Sequence, residues 1–256
     1  MIQFQKIDSI GKITLNRPEK FNSFVREMAL TMQDTLKECA ADDSIRCILI
    51  TGAGKAFCAG QDLKEATDPD GPAIEKIVNE HYNPIIRKIR NIEKPVIAAV
   101  NGVAAGAGAN LALACDIVVA SKSVKFIQAF SKIGLVPDSG GTYFLPRLIG
   151  LPRATAIMMT GESVDAEKAE KFGMIYAVYS DEDFENKSLE LACSLAAMPT
   201  KGLGYTKQLL NQSLSNSLEN QLNVEAEFQA RSAETVDHKE GVQAFLEKRK
   251  PGFTGK

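Results

Sequence analysis

The chain has 256 residues, of which 45% are hydrophobic and 24% charged, with 19 glycines and 10 prolines. This composition excludes disordered, collagen-like and disulfide-scaffold classes and leaves a globular protein long enough to bury a substantial core. Thirty basic and 32 acidic side chains give a formal net charge of −2, so no overall positive field attracts nucleic acid or an anionic membrane, and we expect neither partner.

The first half of the chain alternates strand and helix patterns. Alternating or fully apolar runs predict strands, and apolar residues three to four apart predict helices. The predicted elements are a hairpin over 2–7 and 12–15, a helix over 24–39, a strand over 47–51, a loop over 52–65, a helix over 73–91 and a strand over 95–100. Ser23 is the expected N-cap of the first helix. Residues 95–115 carry no charge but too little Leu, Ile and Phe for a membrane span, and they predict a buried strand and helix.

The second half of the chain is mainly helical. Short strands over 117–120 and near Phe126 come first. The predicted helices cover 153–160, 165–172, 181–197, 200–211, 217–232 and 238–248. Because the strands of the first half are fully apolar, we expect an α/β fold whose sheet is covered on both faces. No linker separates the halves, so we expect a core over residues 1–195 and a C-terminal helical extension of the same domain over residues 196–256.

The cysteine and histidine content limits the disulfide and metal chemistry that we expect of the chain. The five cysteines form no CxxC pair, and only two histidines are present, so we expect reduced, mostly buried thiols and no metal site. The N-terminal segment carries charges inside its apolar stretch and has no small-residue cleavage site, which is not typical of a signal peptide. We therefore expect a cytoplasmic protein.

Three familiar catalytic or nucleotide motifs are incomplete. Residues 106–111 (GAGANL) contain only two glycines of the dinucleotide fingerprint. Residues 52–55 (GAGK) lack the upstream glycine and the hydroxyl residue of a phosphate loop. Ser139 lies in PDSGG rather than GxSxG, and a serine nucleophile would need one of only two histidines as its base. A hydrolase triad is therefore not expected.

Two turns rich in glycine and alanine follow apolar strands. They are FCAGQDL at 57–63 and NGVAAGAG at 101–108, and the second is predicted to lead into a helix over 109–115. Small residues let a ligand approach the backbone, and the first amides of a helix lack internal acceptors. Two such turns can aim two N–H groups at one oxygen as an oxyanion hole. Equally, the glycines can serve tight helix–sheet packing, and the residues alone leave both interpretations open.

A third segment, 134–142 (GLVPDSGGT), places a single carboxylate before a predicted helix. Asp138 can cap that helix through its side-chain oxygens. It can instead carry a proton, because the surrounding residues are apolar and burial and hydrogen bonding then set its pKa. Both roles stay open from the residues alone.

Taken together, these segments resemble the enoyl-CoA hydratase/isomerase (crotonase) superfamily. The segments that carry the resemblance are AFCAGQDL at 56–63, KPVIAAVNG at 94–102 continuing to Cys115 and Asp116, GLVPDSGGT at 134–142 and LPR at 145–147. Within it, the chain is most similar to the 1,2-epoxyphenylacetyl-CoA isomerase branch, with AFSKIGLVPDSGGT at 129–142, MPTKGLG at 198–204 and the segment 240–256 adding to the likeness. The resemblance covers nearly the whole chain.

The resemblance implies a fold, an assembly and a substrate class. The fold is a spiral of ββα units with a C-terminal helical region, assembled as a homotrimer or a dimer of trimers. The substrate is an acyl-CoA thioester, and no cofactor is needed because coenzyme A is part of the substrate. The backbone amides of Gln61 and Ala107 match the oxyanion hole. The matching CoA-binding positions are Ala59, Gly60, Asp62, Leu63, Lys64, Gly106, Gly108, Phe245 and Lys248.

Departures from the hydratase pattern limit the reactions that the resemblance implies. Hydratases of this superfamily use two glutamates, and the matching positions here are Asn110 and Phe130, neither of which can serve as acid or base. Asp138 instead matches the functional aspartate of isomerases and of 4-chlorobenzoyl-CoA dehalogenases in the superfamily. The resemblance therefore implies an isomerase with Asp138 as the acid/base, which converts a ring-1,2-epoxyphenylacetyl-CoA to the oxepin.

Several alternatives remain from the sequence. The first is a 3-enoyl-CoA to 2-enoyl-CoA double-bond isomerase, followed by a 2-enoyl-CoA hydratase and by a dehalogenase with Asp138 as nucleophile. A different class is a non-catalytic acyl-CoA-binding or RNA-binding partner subunit, and the net charge argues against RNA. His81 is expected to be structural, and His238 is assigned no role.

Overall fold

Ten β-strands form two sheets in the computed structural model, which describes residues 1–256. The strands are β1 (Ile2–Ile7), β2 (Ile10–Leu15), β3 (Cys47–Gly52), β4 (Ala56–Cys58), β5 (Val96–Val100), β6 (Val103–Ala105), β7 (Ile117–Ser121), β8 (Lys125–Ile127), β9 (Ser163–Asp165) and β10 (Ala177–Tyr179). The larger sheet has the order β1-β2-β3-β5-β7-β10 and the smaller one the order β4-β6-β8-β9. Neighbouring strands are parallel except in the pairs β1/β2 and β8/β9.

Twelve α-helices accompany the sheets. They are α1 (Arg26–Ala41), α2 (Leu63–Ala66), α3 (Ile74–Ile77), α4 (Asn83–Asn91), α5 (Ala107–Leu113), α6 (Gly141–Ile149), α7 (Leu151–Thr160), α8 (Ala166–Lys171), α9 (Phe184–Ala196), α10 (Thr200–Ser213), α11 (Leu218–Ala233) and α12 (Val236–Glu247). Short 3-10 helices cover Pro18–Lys20 and Ala129–Ile133, and a π-helical turn at Val78–Tyr82 joins α3 to α4. None of the helices combines the length and the apolarity that crossing a lipid bilayer requires.

A strand–strand–helix unit repeats three times along the chain. In each of the pairs β3/β4, β5/β6 and β7/β8 the first strand joins the larger sheet and the second joins the smaller one. Helices follow each pair. The first two pairs are followed by a return to the larger sheet, and after the third the chain passes through β9 of the smaller sheet before it reaches β10 of the larger one. This arrangement confirms the predicted spiral of ββα units with a C-terminal helical region.

Hydrophobic clusters cover both faces of the larger sheet, as predicted. The main core of 43 buried residues includes residues of α1, α4 and α5 and the inward side chains of both sheets. A smaller cluster of nine buried residues packs α9 against the opposite face, with Ala192 and Ala196 against β3 and β5 side chains such as Leu49 and Ile97. All five residues of β5 are buried, which explains its fully apolar sequence.

Some local predictions were wrong. The predicted loop over 52–65 contains β4 and α2, because a strand of three residues is too short to show an alternating pattern. Helix α1 begins at Arg26 after Val25, and the expected Ser23 cap is absent because residues 23–24 run extended before the helix. The second amphipathic helix is interrupted by the π-helical turn.

Helix α10 is tied to the core by a partly buried charge cluster. Lys207 donates to Asp116 at 2.7 Å, and Arg90 donates to the other oxygen of Asp116 at 3.1 Å. Asp116 also accepts the Val96 amide at 2.9 Å. Burial lowers the pKa of Lys207, and the neighbouring Asp116 carboxylate opposes that change. This cluster joins α10, α4 and the start of β5.

Candidate active site

The two turns rich in glycine and alanine lie side by side. Strands β4 and β6 are parallel neighbours, so the turns that follow them leave the same edge of the smaller sheet. A Cβ atom placed on Gly60 would lie 3.1 Å from the Ala105 carbonyl oxygen and 3.4 Å from the Ala107 amide nitrogen. Gly60 has a φ of +91°, which a glycine adopts without strain. The backbones of the two turns are therefore in direct contact.

Each turn presents one backbone amide that has no protein acceptor. Phe24 donates to the Gly60 carbonyl at 2.7 Å, and the Asp62 amide donates to Phe24 at 2.9 Å, so this parallel bridge leaves the Gln61 amide facing away from Phe24. Ala107 is the first residue of α5, and its amide has no acceptor within the helix. Helix α5 begins two residues earlier than predicted, at Ala107 instead of residue 109. Ala107 is therefore the first helical residue, and its amide is a free donor.

The Gln61 side chain is held by partners from distant parts of the chain. The hydroxyl of Tyr82 donates to Gln61 Oε1 at 3.1 Å, and Gln61 Nε2 donates to Glu65 at 2.6 Å. Tyr82 is 1% exposed, and its ring centroid lies 5.8 Å from that of Phe24. Tyr82 and Glu65 escaped the sequence analysis, since nothing local in the sequence pairs residues 61 and 82.

Asp62, predicted to bind CoA, uses its carboxylate for the fold. It caps α2 by accepting the Lys64 amide at 2.9 Å and pairs with Arg17 at 2.6 Å. Burial raises its pKa, but the hydrogen bonds from Arg17 and the Lys64 amide together hold the pKa below the usual value of 3.8. The carboxylate is therefore ionised and committed to the turn.

Asp138 lies in the loop before α6 and does not cap that helix. The N-cap position is Gly140, and no side chain caps the helix amides. Asp138 Oδ1 instead accepts a hydrogen bond from the Ser139 hydroxyl at 2.9 Å. Burial raises the pKa of Asp138 above 3.8, and the Ser139 hydrogen bond opposes that rise. The capping interpretation is thus wrong, and the carboxylate keeps one oxygen without a protein donor.

Asn110 links the Asp138 loop to the helix that presents the Ala107 amide. Its Nδ2 donates to the Asp138 carbonyl at 2.9 Å, and its Oδ1 accepts from Gln128 at 2.7 Å. Gly141 fits against Asn110 without room for a side chain. Asn110 is fully buried and is the fourth residue of α5. The position that the hydratase pattern gives to a glutamate therefore holds a structural amide.

Apolar and aromatic groups close the rest of this region. The Phe130 ring lies over the second turn, 3.7 Å from where a Cβ on Gly106 would stand. Burial raises the pKa of Tyr82 well above 10, and the nearby carboxyl groups of Asp138 and Glu65 add to the rise. The Tyr82 hydroxyl is therefore uncharged, and it holds Gln61 as a hydrogen-bond donor.

The other predicted site residues fall into two groups. Ala59, Gly60, Asp62, Leu63 and Lys64 belong to the first turn and α2, and Gly106 and Gly108 to the second turn. Phe245 is 83% exposed on α12 and lines a groove among other C-terminal residues, and Lys248 follows α12. Within one chain the structure does not bring these two C-terminal residues to the turns.

His81 lies outside any catalytic or metal-binding cluster. His81 is fully buried, and neither ring nitrogen has a hydrogen-bond partner. Burial lowers the pKa of His81, so it is neutral. No group of three or more His, Cys, Asp and Glu side chains is arranged to hold a metal ion.

Gly108→Ala is expected to separate the two turns. An added Cβ would overlap the Cys58 carbonyl oxygen and lie 2.7 Å from Cys58 Sγ, and both residues are buried. We expect a loss of about 1–3 kcal/mol in the free energy of unfolding and at least about a tenfold fall in kcat/KM. Denaturant unfolding and steady-state kinetics on a 3-enoyl-CoA measure the two effects.

The matched control for this variant is Gly202→Ala. Gly202 lies in α10, and the nearest atom to an added Cβ there is 3.8 Å away. Alanine favours the helix, so the control should be as stable as the wild type or more stable. Equal behaviour of the two alanine variants would contradict the close contact at Gly108.

Together, fold and site define a CoA-thioester enzyme of the crotonase type, and comparison with known proteins agrees. The chain belongs to the enoyl-CoA hydratase/isomerase family, whose family model matches residues 5–256. It is 50% identical over 247 residues, covering 95% of this chain and 94% of the relative, to the 1,2-epoxyphenylacetyl-CoA isomerase of Escherichia coli (strain K12).

Other relatives carry different reaction names. The chain is 42% identical over 255 residues, covering 100% of this chain and 98% of the relative, to a probable enoyl-CoA hydratase of Rhodobacter capsulatus. Its structure matches a putative enoyl-CoA hydratase/isomerase from Mycobacterium abscessus with a TM-score of 0.95, 36% identity and full coverage of both chains. The predicted superfamily and fold are thus confirmed, while both isomerases and hydratases occur among the relatives.

Proposed function

We propose that the protein is an acyl-CoA isomerase that converts ring-1,2-epoxyphenylacetyl-CoA to the oxepin-CoA in phenylacetate breakdown, with Asp138 as the acid/base. The observation that carries this proposal is the difference in hydrogen bonding among three carboxylates, those of Asp62, Glu65 and Asp138. Asp62 pairs with Arg17, and both oxygens of Glu65 accept hydrogen bonds, from the Arg26 amide and from Gln61. Asp138 alone keeps an oxygen free of protein donors.

The free amides of Gln61 and Ala107 would act as the oxyanion hole of this reaction. A thioester carbonyl oxygen bound to both would be stabilised as negative charge develops on it, and one such donor typically contributes about 10²–10³ in rate. Polarisation of the carbonyl makes the α-carbon acidic, so a single carboxylate can remove a proton and return it elsewhere in the conjugated system. For the ring epoxide, the same charge stabilisation promotes ring expansion, with Asp138 assisting.

Double-bond migration from a 3-enoyl-CoA to a 2-enoyl-CoA is the second candidate. It needs the same carboxylate and the same two amides, and the isomerase name of the Escherichia coli relative supports either isomerisation over hydration. Water addition lacks a base at both hydratase positions, since Asn110 binds the Asp138 carbonyl and Phe130 covers Gly106. A hydratase reaction and a passive acyl-CoA-binding role are therefore less well supported.

A side-by-side assay separates these functions. The purified protein is given ring-1,2-epoxyphenylacetyl-CoA, 3-hexenoyl-CoA and 2-hexenoyl-CoA, and products are followed by chromatography and mass. We expect kcat/KM to be highest for the epoxide, lower for 3-hexenoyl-CoA and negligible for hydration of 2-hexenoyl-CoA. Faster hydration than isomerisation would reverse the proposal, and the absence of any turnover, with no exchange of the α-hydrogen in heavy water, would favour a passive binder.

Assembly and CoA contacts complete the proposal. We infer a homotrimer or dimer of trimers, in which Phe245 and Lys248 reach the CoA of a neighbouring subunit and Lys64 lies near its nucleotide end. Exposed apolar side chains on the C-terminal helices support the assembly, among them Leu218 and Phe245. The division at residues 195 and 196, the cytoplasmic location and the lack of a cofactor beyond the CoA of the substrate stay predictions.

A further inference from the structure

Ser139 combines three unusual features beside the proposed acid/base. It is 1% exposed although its side chain is polar. Its φ is +52°, in the left-handed region that favours glycine, and the next residue, Gly140, has a φ of +75°. A serine held in this conformation persists only where the surrounding structure compensates for the strain, and such residues cluster at functional sites. We therefore expect the Ser139 side chain to have a role that glycine, which has no side chain, lacks.

The Ser139 hydroxyl is the one side chain that donates a hydrogen bond to the Asp138 carboxylate. It donates to Asp138 Oδ1 at 2.9 Å, and its effect on the pKa of the carboxylate is larger than that of the Asp138 backbone amide. The loop backbone is fixed by other groups, because the Asp138 carbonyl accepts from Asn110 Nδ2 at 2.9 Å and from the Gly141 amide at 2.8 Å. The hydroxyl thus acts on the carboxylate and is not needed to hold the loop.

We propose that Ser139 is a positioning residue, whose hydroxyl orients the Asp138 carboxylate and favours its ionised form. This inference rests on the proposed function, in which Asp138 must be ionised to accept a proton. Glycine would relieve the backbone strain but would lose the donor, which explains why a residue with a hydroxyl occupies a left-handed position.

The other ionisable groups near Asp138 do not supply this effect. Tyr82 is uncharged, because burial raises its pKa well above 10. Lys132, on the preceding 3-10 helix, and Arg147, on α6, carry the charges of the flanking elements, and neither forms an ion pair with Asp138. Arg147 is occupied by the Tyr143 ring and carbonyl. The hydroxyl is therefore the main group that opposes the effect of burial on the carboxylate.

Ser139→Ala and Ser139→Gly form a matched pair that isolates the hydroxyl. Both remove the donor, but only glycine accepts the positive φ without strain, so the glycine variant keeps the experiment valid if the alanine variant folds poorly. The readout is the pH profile of kcat/KM for 3-hexenoyl-CoA, whose acidic limb reports the free enzyme's base. Loss of a donor to the ionised form raises the base's pKa.

We expect the acidic limb to move up by about one pH unit in both variants, and kcat/KM above the limb to fall about tenfold. Thermal unfolding should show the glycine variant to be more stable than the alanine variant. The inference is overturned if the limb of both variants stays at the wild-type position, or if only the alanine variant shifts, because removal of the hydroxyl in the glycine variant would then have no effect.

Failure of the inference is distinguishable from failure of the proposed function. An Asp138→Asn variant assayed in the same series should lose the activity. If it does so while both Ser139 variants match the wild type, the inference on Ser139 fails and the proposed function stands. If Asp138→Asn keeps full activity, the proposed function itself fails.

Discussion

Asp138→Asn is expected to lower turnover at least about 10²-fold while leaving the affinity for a CoA thioester largely intact. An amide has the size of the carboxylate but cannot accept a proton at working pH. The loop should keep its shape, because Asn110 and Gly141 hold it through the Asp138 backbone carbonyl and not through the side chain. The loss should therefore appear in kcat and not in binding.

Kinetics on 3-hexenoyl-CoA and calorimetric titration with a saturated acyl-CoA measure turnover and binding separately. Asp34→Asn is the matched control, since it makes the same change of charge at an exposed position of α1. The control should match the wild type in both measurements. Wild-type turnover in Asp138→Asn, or a loss confined to binding, would show that another group moves the proton.

Asp116→Ala is expected to cost about 3–5 kcal/mol in the free energy of unfolding. The side chain of Lys207 is only 6% exposed, and it would lose its carboxylate partner while remaining buried. Arg90 would lose one of its partners, and the Val96 amide at the start of β5 would lose its acceptor. Removing one member of a buried charge cluster is far costlier than replacing the whole cluster by apolar groups.

Urea-induced unfolding followed by circular dichroism measures this loss. Glu190→Ala is the control, because Glu190 pairs with Lys187 at 3.4 Å on an exposed face of α9, where an ion pair adds little to stability. A loss in Asp116→Ala no greater than that of the control would mean that α10 is held by apolar packing alone. A loss of the expected size would show that the charge cluster helps to hold α10 against the core.

Hydrophobic patterns predicted most of the fold. The fully apolar strands β3 and β5, the first hairpin and the helices of the second half follow from periodicity, and the structure places them within a few residues of the predicted bounds. In the smaller sheet, the strand near Phe126 was predicted and corresponds to β8, whereas β4 and β6 escaped prediction because they have three residues each, too few for an alternating pattern. Its strands exist through pairing with distant neighbours, which a local pattern cannot show.

The candidate site depended on resemblance for its residues and on structure for its geometry. The residues alone left open whether the two turns bind an oxygen or only permit packing, and whether Asp138 caps a helix. The Gly140 N-cap and the Ser139 hydrogen bond show that Asp138 does not cap α6. The close approach of Gly60 to Ala107 is compatible with both interpretations of the turns, and the oxyanion hole stays a proposal. Tyr82 gave no signal in the sequence, because its contact with Gln61 arises only when the π-helical turn at Val78–Tyr82 is folded beside the first turn.

The most direct test of the account is a crystal structure of the Asp138→Asn protein soaked with 3-hexenoyl-CoA, which that variant should leave unconverted. We predict a thioester oxygen about 3 Å from the amide nitrogens of both Gln61 and Ala107, with residue 138 facing the α-carbon. An oxygen bound elsewhere, or a different ionisable side chain at the α-carbon, would contradict it.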